Sequence, residues 1–169
     1  MKISTILAEK GTEVVTVSPD HTVQSLLALL AQHKVGALVV SVDSTTIAGI
    51  VSERDIVRAL SAGASILAEP VSTIMTSEVF VSPTDANIDE LMTVMTAQRI
   101  RHIPITSDDG LLVGIVSIGD LVKARLGELE TEGRFIGIHY ERRLARNLTP
   151  PTGRIVTSGS LAGTPCPGG

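Results

Sequence analysis

Gly49-Ile50-Val51-Ser52-Glu53-Arg54-Asp55-Ile56-Val57-Arg58-Ala59 returns 65 residues later as Gly114-Ile115-Val116-Ser117-Ile118-Gly119-Asp120-Leu121-Val122-Lys123-Ala124. Gly, Ile, Val, Ser, Asp, Val and Ala recur in place. An internal period of this length means that one supersecondary unit is present twice. What recurs includes a hydroxyl and a carboxylate at the junction of a strand with a helix, where ligands often bind.

Working outward, both repeats read alike. Residues 14–17 form a β-branched run closed by Ser18-Pro19, and residues 79–81 one closed by Ser82-Pro83. A helix follows in each. Val23, Leu26, Leu27 and Leu30 share one face in the first copy, with Thr22 or Asp20 as its cap; Ile88, Leu91, Met92 and Met95 do the same in the second. One extra residue separates the proline from the helix in the second copy. Residues 37–40 and 103–105 then read as buried strands, with turns at 43–46 and 107–110. Residues 47–51 and 111–116 are continuous apolar strands, and helices follow over 53–62 and 118–130. Pro104 lies in an apolar run, so it is expected at the start or edge of its strand. Residues 68–75 join the repeats, and Pro70 can open a short helical turn. The predicted class is α/β (α+β): two β-α-β-β-α repeats, residues 1–68 and 69–130, and an extension from 131 to 169. Residues 140–146 could extend a helix. After Asn147 come four Pro and five Gly, a composition that predicts disorder.

Composition narrows the function. Of 169 residues, 43% are apolar but only 2% aromatic, so the core must be Val, Ile, Leu, Ala and Met. A net charge of −4 and so few aromatics argue against a nucleic-acid binder. Cys166 stands alone, which excludes a disulfide framework and points to a reducing, cytoplasmic setting. Charges at Lys2, Glu9 and Lys10 interrupt any signal-peptide core, and no apolar run is long enough to span a membrane.

Catalytic signatures are missing: no Ser-His-Asp context, HExxH, Walker loop or GxGxxG occurs. His21, His33, His102 and His139 show no metal-ligand spacing. The chain therefore reads as neither an enzyme nor a metalloprotein. What remains is the Ser-x-x-Asp pair. Taken singly, Ser52 or Ser117 is a helix N-cap, and Asp55 or Asp120 completes a near capping box with Asp in place of Glu. The same geometry suits a ligand: a carboxylate accepts from adjacent ribose hydroxyls, and a serine with helix N–H groups receives phosphate. Recurrence of the pair favours the ligand. So do the basic groups Arg54, Arg101 and His102, with Lys34, Arg58, Arg99 and Lys123 further out. The first repeat carries Gly36-Ala37 where the second has Arg101-His102.

In combination these pieces resemble a tandem cystathionine-β-synthase-type (CBS) domain pair. Thr16-Val17-Ser18-Pro19, residues 35–40 and residues 49–56 carry the likeness in the first copy; residues 74–76, 81–83, 101–105 and 114–120 carry it in the second. The resemblance covers roughly residues 1–130. It implies a Bateman-type module whose repeats are related by a pseudo-twofold, a regulatory role, and adenine nucleotides in clefts between the motifs. Carried over by position, one cleft would combine Ser52, Arg54 and Asp55 with Ser77, Val79, Arg101, His102 and Pro104. The other would combine Ser117, Gly119 and Asp120 with Thr12, Val14, Gly36 and Ala37. The first has cations for a phosphate tail; the second does not. The expected ligand is AMP, ADP or ATP. Alternatives are NAD(H) or S-adenosylmethionine on the same module, or a purely structural oligomerisation module. A homodimer paired through helices, and an effector on a separate protein, are further expectations.

Overall fold

The computed structural model describes residues 1–11 and 13–136; in residues 131–136 only the helical backbone is described. Among them the order is α1 (Ile3–Lys10), β1 (Thr16–Val17), α2 (Val23–His33), β2 (Ala37–Val40), β3 (Gly49–Ser52), α3 (Glu53–Leu60), β4 (Ser82–Pro83), α4 (Ile88–Gln98), β5 (His102–Thr106), β6 (Leu112–Ser117) and α5 (Ile118–Ile136). Two short 3₁₀ helices, Ala64–Ala68 and Val71–Thr73, lie between the repeats, the second directly after Pro70. The mixed α/β class and the order β-α-β-β-α hold in both repeats. The expectations for residues 137–169, including a helix at 140–146 and a disordered end, lie outside the described residues.

Each repeat folds its strands into a three-stranded sheet, β1-β2-β3 and β4-β5-β6. The outer pairings are parallel to the middle strand on one side and antiparallel on the other. Helix caps follow the predicted chemistry. Thr22 caps α2 by accepting from the Ser25 N–H, while Asn87 caps α4 through Asp89. Asp43 accepts from the Thr45 and Thr46 backbone N–H groups and from two hydroxyls, which closes the β2–β3 turn and holds its carboxyl far below the ordinary range.

Some boundaries differ from expectation. Residues 79–81 are not a strand; β4 begins at Ser82. The reason is upstream: Thr76 pairs with Ile50 of the other repeat, donating to its carbonyl at 2.9 Å and accepting its N–H at 3.0 Å. The chain must cross back before it can run beside β5. Pro104 lies inside β5, the middle strand, rather than at an end. It is tolerated there because β4 covers only Ile105 and Thr106, leaving that flank of Pro104 uncovered. The first strand shortens to Thr16–Val17, α3 stops at Leu60, and α5 continues past residue 130 to Ile136.

The cores explain how the repeats are joined. Among the described residues, one core gathers Val17, Val23, Leu26, Leu30, Leu38, Val51 and Ile56 with Val71, which comes from the connector. The other gathers Ile88, Leu91, Met95, Ile103, Ile105, Val116 and Leu121 with Ile3, Ile6 and Leu7 of α1. Each repeat thus receives the segment that opens the other. The docking bonds match: Ile3 and Ser4 donate their N–H groups to the carbonyls of Ala86 and Thr84, and Val71 and Ser72 donate to His21 and Pro19. Burying a side chain such as Ile3 or Val71, both fully enclosed, contributes about 2 kcal/mol.

The repeated glycines record these docked segments. A Cβ on Gly49 would stand 2.8 Å from Met75 Sδ and 2.9 Å from the Thr76 carbonyl oxygen. One on Gly114 would stand 2.6 Å from Leu7 Cδ2. Both positions exclude a side chain because a foreign segment presses on the strand.

Candidate functional site

Both Ser/Asp pairs sit where an apolar strand becomes a helix, and both are built alike. The Ser52 N–H and hydroxyl donate to Asp55 Oδ2 at 2.9 and 2.6 Å. The Ser117 N–H and hydroxyl donate to Asp120 Oδ2 at 2.7 and 2.8 Å. The first N–H of each helix is also tied down: Glu53 donates to the Gly36 carbonyl at 3.0 Å, and Ile118 to the Arg101 carbonyl at 2.9 Å. The capping interpretation is therefore correct as far as it goes. It commits one carboxylate oxygen in each repeat and fixes the orientation of the other.

Around Asp55 a cleft of about 590 Å³ opens between the repeats. Ser52, Arg54 and Asp55 form one side; Val79, Arg101 and His102 form part of the other. These six were expected together. Ser77 and Pro104 are not in the lining: Ser77 is exposed between Thr76 and Glu78, which are, and Pro104 is buried within β5. Gly36 and Ala37, expected beside Asp120, line the Asp55 cleft. The cause is the closeness of β2 to β5 at their starts, since a Cβ on Gly36 would lie 3.6 Å from the His102 ring.

The sequence reading missed Phe80, Ile50 and Ile100, which add apolar wall, and Glu53, Glu78 and Gln98, which add polar groups. Phe80 had a signal, being one of only three aromatic residues in the chain. Arg58 and Arg99, expected further out, also line the cleft, so four arginines border it. Arg99 follows α4 in left-handed conformation, φ 57°, as Lys34 follows α2 at φ 54°.

Asp120 has different company. Lys10 Nζ donates to Asp120 Oδ2 at 2.7 Å and to the Ile115 carbonyl at 3.0 Å. Burial pushes the Asp120 carboxyl up, but the Lys10 ammonium and the Ser117 donors outweigh it and leave its pKa lowered. Gly119 is exposed and borders a groove along α5 with Ile118, Val122 and Leu126. Val14 is half-buried just before β1, and Thr12 lies outside the described residues. His102 is the cross-strand partner of Ser117. Burial, then the charge of Lys10, lowers its pKa, so the ring is neutral at pH 7.

The CBS domain model matches this chain twice, over residues 10–62 and 71–127. The chain belongs to the CBS domain family. The chain is similar to CBS domain-containing protein YhcV of Bacillus subtilis, 34% identical over 119 residues, which are 70% of this chain and 84% of that one. The crystal structure of the CBS-domain containing protein ATU1752 from Agrobacterium tumefaciens is similar at 40% identity and TM-score 0.71, covering 74% of this chain and 99% of that one. The structure of CBSX2 in complex with AMP aligns at 27% identity and TM-score 0.59, over 68% of this chain and 89% of that one. Among the described residues no helix is long and apolar enough to cross a membrane.

Proposed function

We propose that this CBS pair is a regulatory module without catalytic activity that binds AMP, ADP or ATP, with the nucleotide in the Asp55 cleft. The observation that carries the reading is a carboxylate held by Ser52 on the wall of a cleft bordered by four arginines. Asp55 Oδ1 accepts the ribose hydroxyls while Oδ2 stays in the cap. Arg54, Arg58, Arg99 and Arg101 receive phosphate oxygens by charge-assisted hydrogen bonds. Ile50, Val79, Ile100 and Phe80 provide the apolar walls for adenine. The AMP named in the CBSX2 structure supports the same ligand class here. S-adenosylmethionine is disfavoured, because its sulfonium would meet the same arginines.

Ligand binding regulates only through different affinities for two states of the protein. The states proposed here involve pairing with a second copy through exposed apolar residues such as Val122, Leu126 and Leu129 on α5, and an effector on a separate protein. The test is calorimetry with AMP, ADP, ATP, NAD(H) and S-adenosylmethionine on the full chain and on Asp55→Ala. Binding of the phosphate ligands that is lost in Asp55→Ala supports the proposal. Unchanged binding in the variant, or no binding by the wild type, overturns it.

A further inference from the structure

The 65-residue shift allows the surroundings of Asp55 and Asp120 to be compared position by position. Ile50 exchanges two backbone hydrogen bonds with Thr76, and this bridge lays Thr76, Glu78, Val79 and Phe80 along the Asp55 cleft. The equivalents by position are Ile115 and Gly11. That bridge is altered, because the Gly11 N–H donates to the Leu7 carbonyl at 2.9 Å and closes the end of α1. The Ile115 carbonyl instead accepts from the Lys10 ammonium, which at the same time bonds Asp120. A side chain has replaced a backbone donor, and it carries a charge.

The two carboxylates therefore differ in availability. Among the described residues the cation paired with Asp55 is Arg58 at 3.8 Å, on the same helix and 72% exposed, a contact that water and salt largely screen. Lys10 approaches Asp120 at 2.7 Å, with side-chain exposures of 40% and 26%, and a second acceptor holds it in place. We propose that Lys10 is a tethered cation which, bonded to the cap oxygen Oδ2 of Asp120, offsets the carboxylate's charge and blocks approach to its Oδ1, so that the Asp55 cleft fills first and Asp120 offers Oδ1 to a ligand only when Lys10 moves away. The inference rests on the reading above, in which these carboxylates receive ribose hydroxyls. Release would also free the end of α1, coupling second-site occupancy to the segment that completes the second core.

Calorimetric titration of the full chain with AMP tests this, comparing wild type with Lys10→Met and Lys10→Gln. The wild type should bind one AMP per chain. Both variants should gain a second site at least tenfold tighter than any second wild-type event, and adding Asp120→Ala should abolish it. Two equal sites in the wild type, or unchanged stoichiometry in both variants, overturns the competition while leaving the nucleotide reading intact. Loss of a site in the variants would make Lys10 a ligand contact and also overturn it. No AMP binding by any form overturns the nucleotide reading, and the competition with it. A ligand-free arm addresses the ion pair alone: the Asp120 carboxyl, followed by NMR, should titrate at higher pH in Lys10→Met, and an unmoved titration removes the basis of the proposal.

Discussion

Asp55 and Asp120 occupy the same place in their repeats, and each accepts the N–H and the hydroxyl of the serine three residues before it. Beyond that they part. Asp55 faces a cleft bordered by four arginines, whereas Asp120 is bonded by a lysine from α1. The difference teaches what duplication preserves. A cap is required wherever a helix begins, so it persists in both copies. The partners brought in from the opposite repeat serve no such local need, and they have diverged.

The largest effect expected from this comparison is on ligand affinity. Asp55→Ala removes a carboxylate that accepts charge-assisted bonds, and AMP affinity should fall about a hundredfold, near 2.7 kcal/mol, by calorimetry. Asp120→Ala should change the first binding event little. Equal losses in the two variants would erase the distinction between the clefts.

Next come the paired glycines. Gly49→Ala should destabilise by about 2–3 kcal/mol in urea unfolding, because the new methyl group meets the Thr76 carbonyl of a backbone bridge. Gly114→Ala should cost less, about 1–2 kcal/mol, since the Leu7 side chain can rotate away. A reversed order would mean that α1, not the Thr76 bridge, is the stiffer of the two docked segments.

Arg101→Ala should weaken ATP about tenfold, or 1.4 kcal/mol, and leave adenosine nearly unchanged. Equal losses for both ligands would remove Arg101 from the phosphate end.

The smallest effect is a dependence on pH. The folded pKa of His102 lies below its ordinary value of 6.5, so the unfolded chain binds a proton that the folded chain resists. Stability from this source is complete above pH 6.5 and declines as pH falls towards the lowered value. Lys10 and Arg101 strengthen the trend, while Asp120 and Glu53 oppose it. In thermal melts His102→Gln should flatten that part of the profile. Asp120 acts at lower pH: its stabilisation is present above 3.8 and is lost on further acidification, less so in Lys10→Met.

Much of this was legible in the sequence because it depends on local periodicity. The repeated Ser-x-x-Asp, the apolar faces of α2 and α4, and the turn at Asp43 each follow from residues a few positions apart. Six residues expected in one cleft do line it together, through a resemblance that encodes the pairing between repeats. What escaped depends on contacts distant in sequence. Lys10 lies 110 positions from Asp120, and as a lone basic residue at a helix end it carries no signal of that pairing. Pro104 looked like a strand end because the short reach of β4 cannot be inferred from composition. Gly36 and Ala37 were assigned to the other cleft because the approach of β2 to β5 is tertiary.

The exchange of opening segments has a consequence for how such a module arises. The first repeat alone would carry the plug of Ile3, Ile6 and Leu7 but lack Val71, and the second alone would carry Val71 but leave the groove filled by that plug bare. Two such chains could complete each other reciprocally, at a strength set by their concentration. Fusing them through residues 62–70 converts that encounter into an intramolecular one with a high effective concentration. Severing the chain in this connector should therefore yield halves that fold together and fail apart.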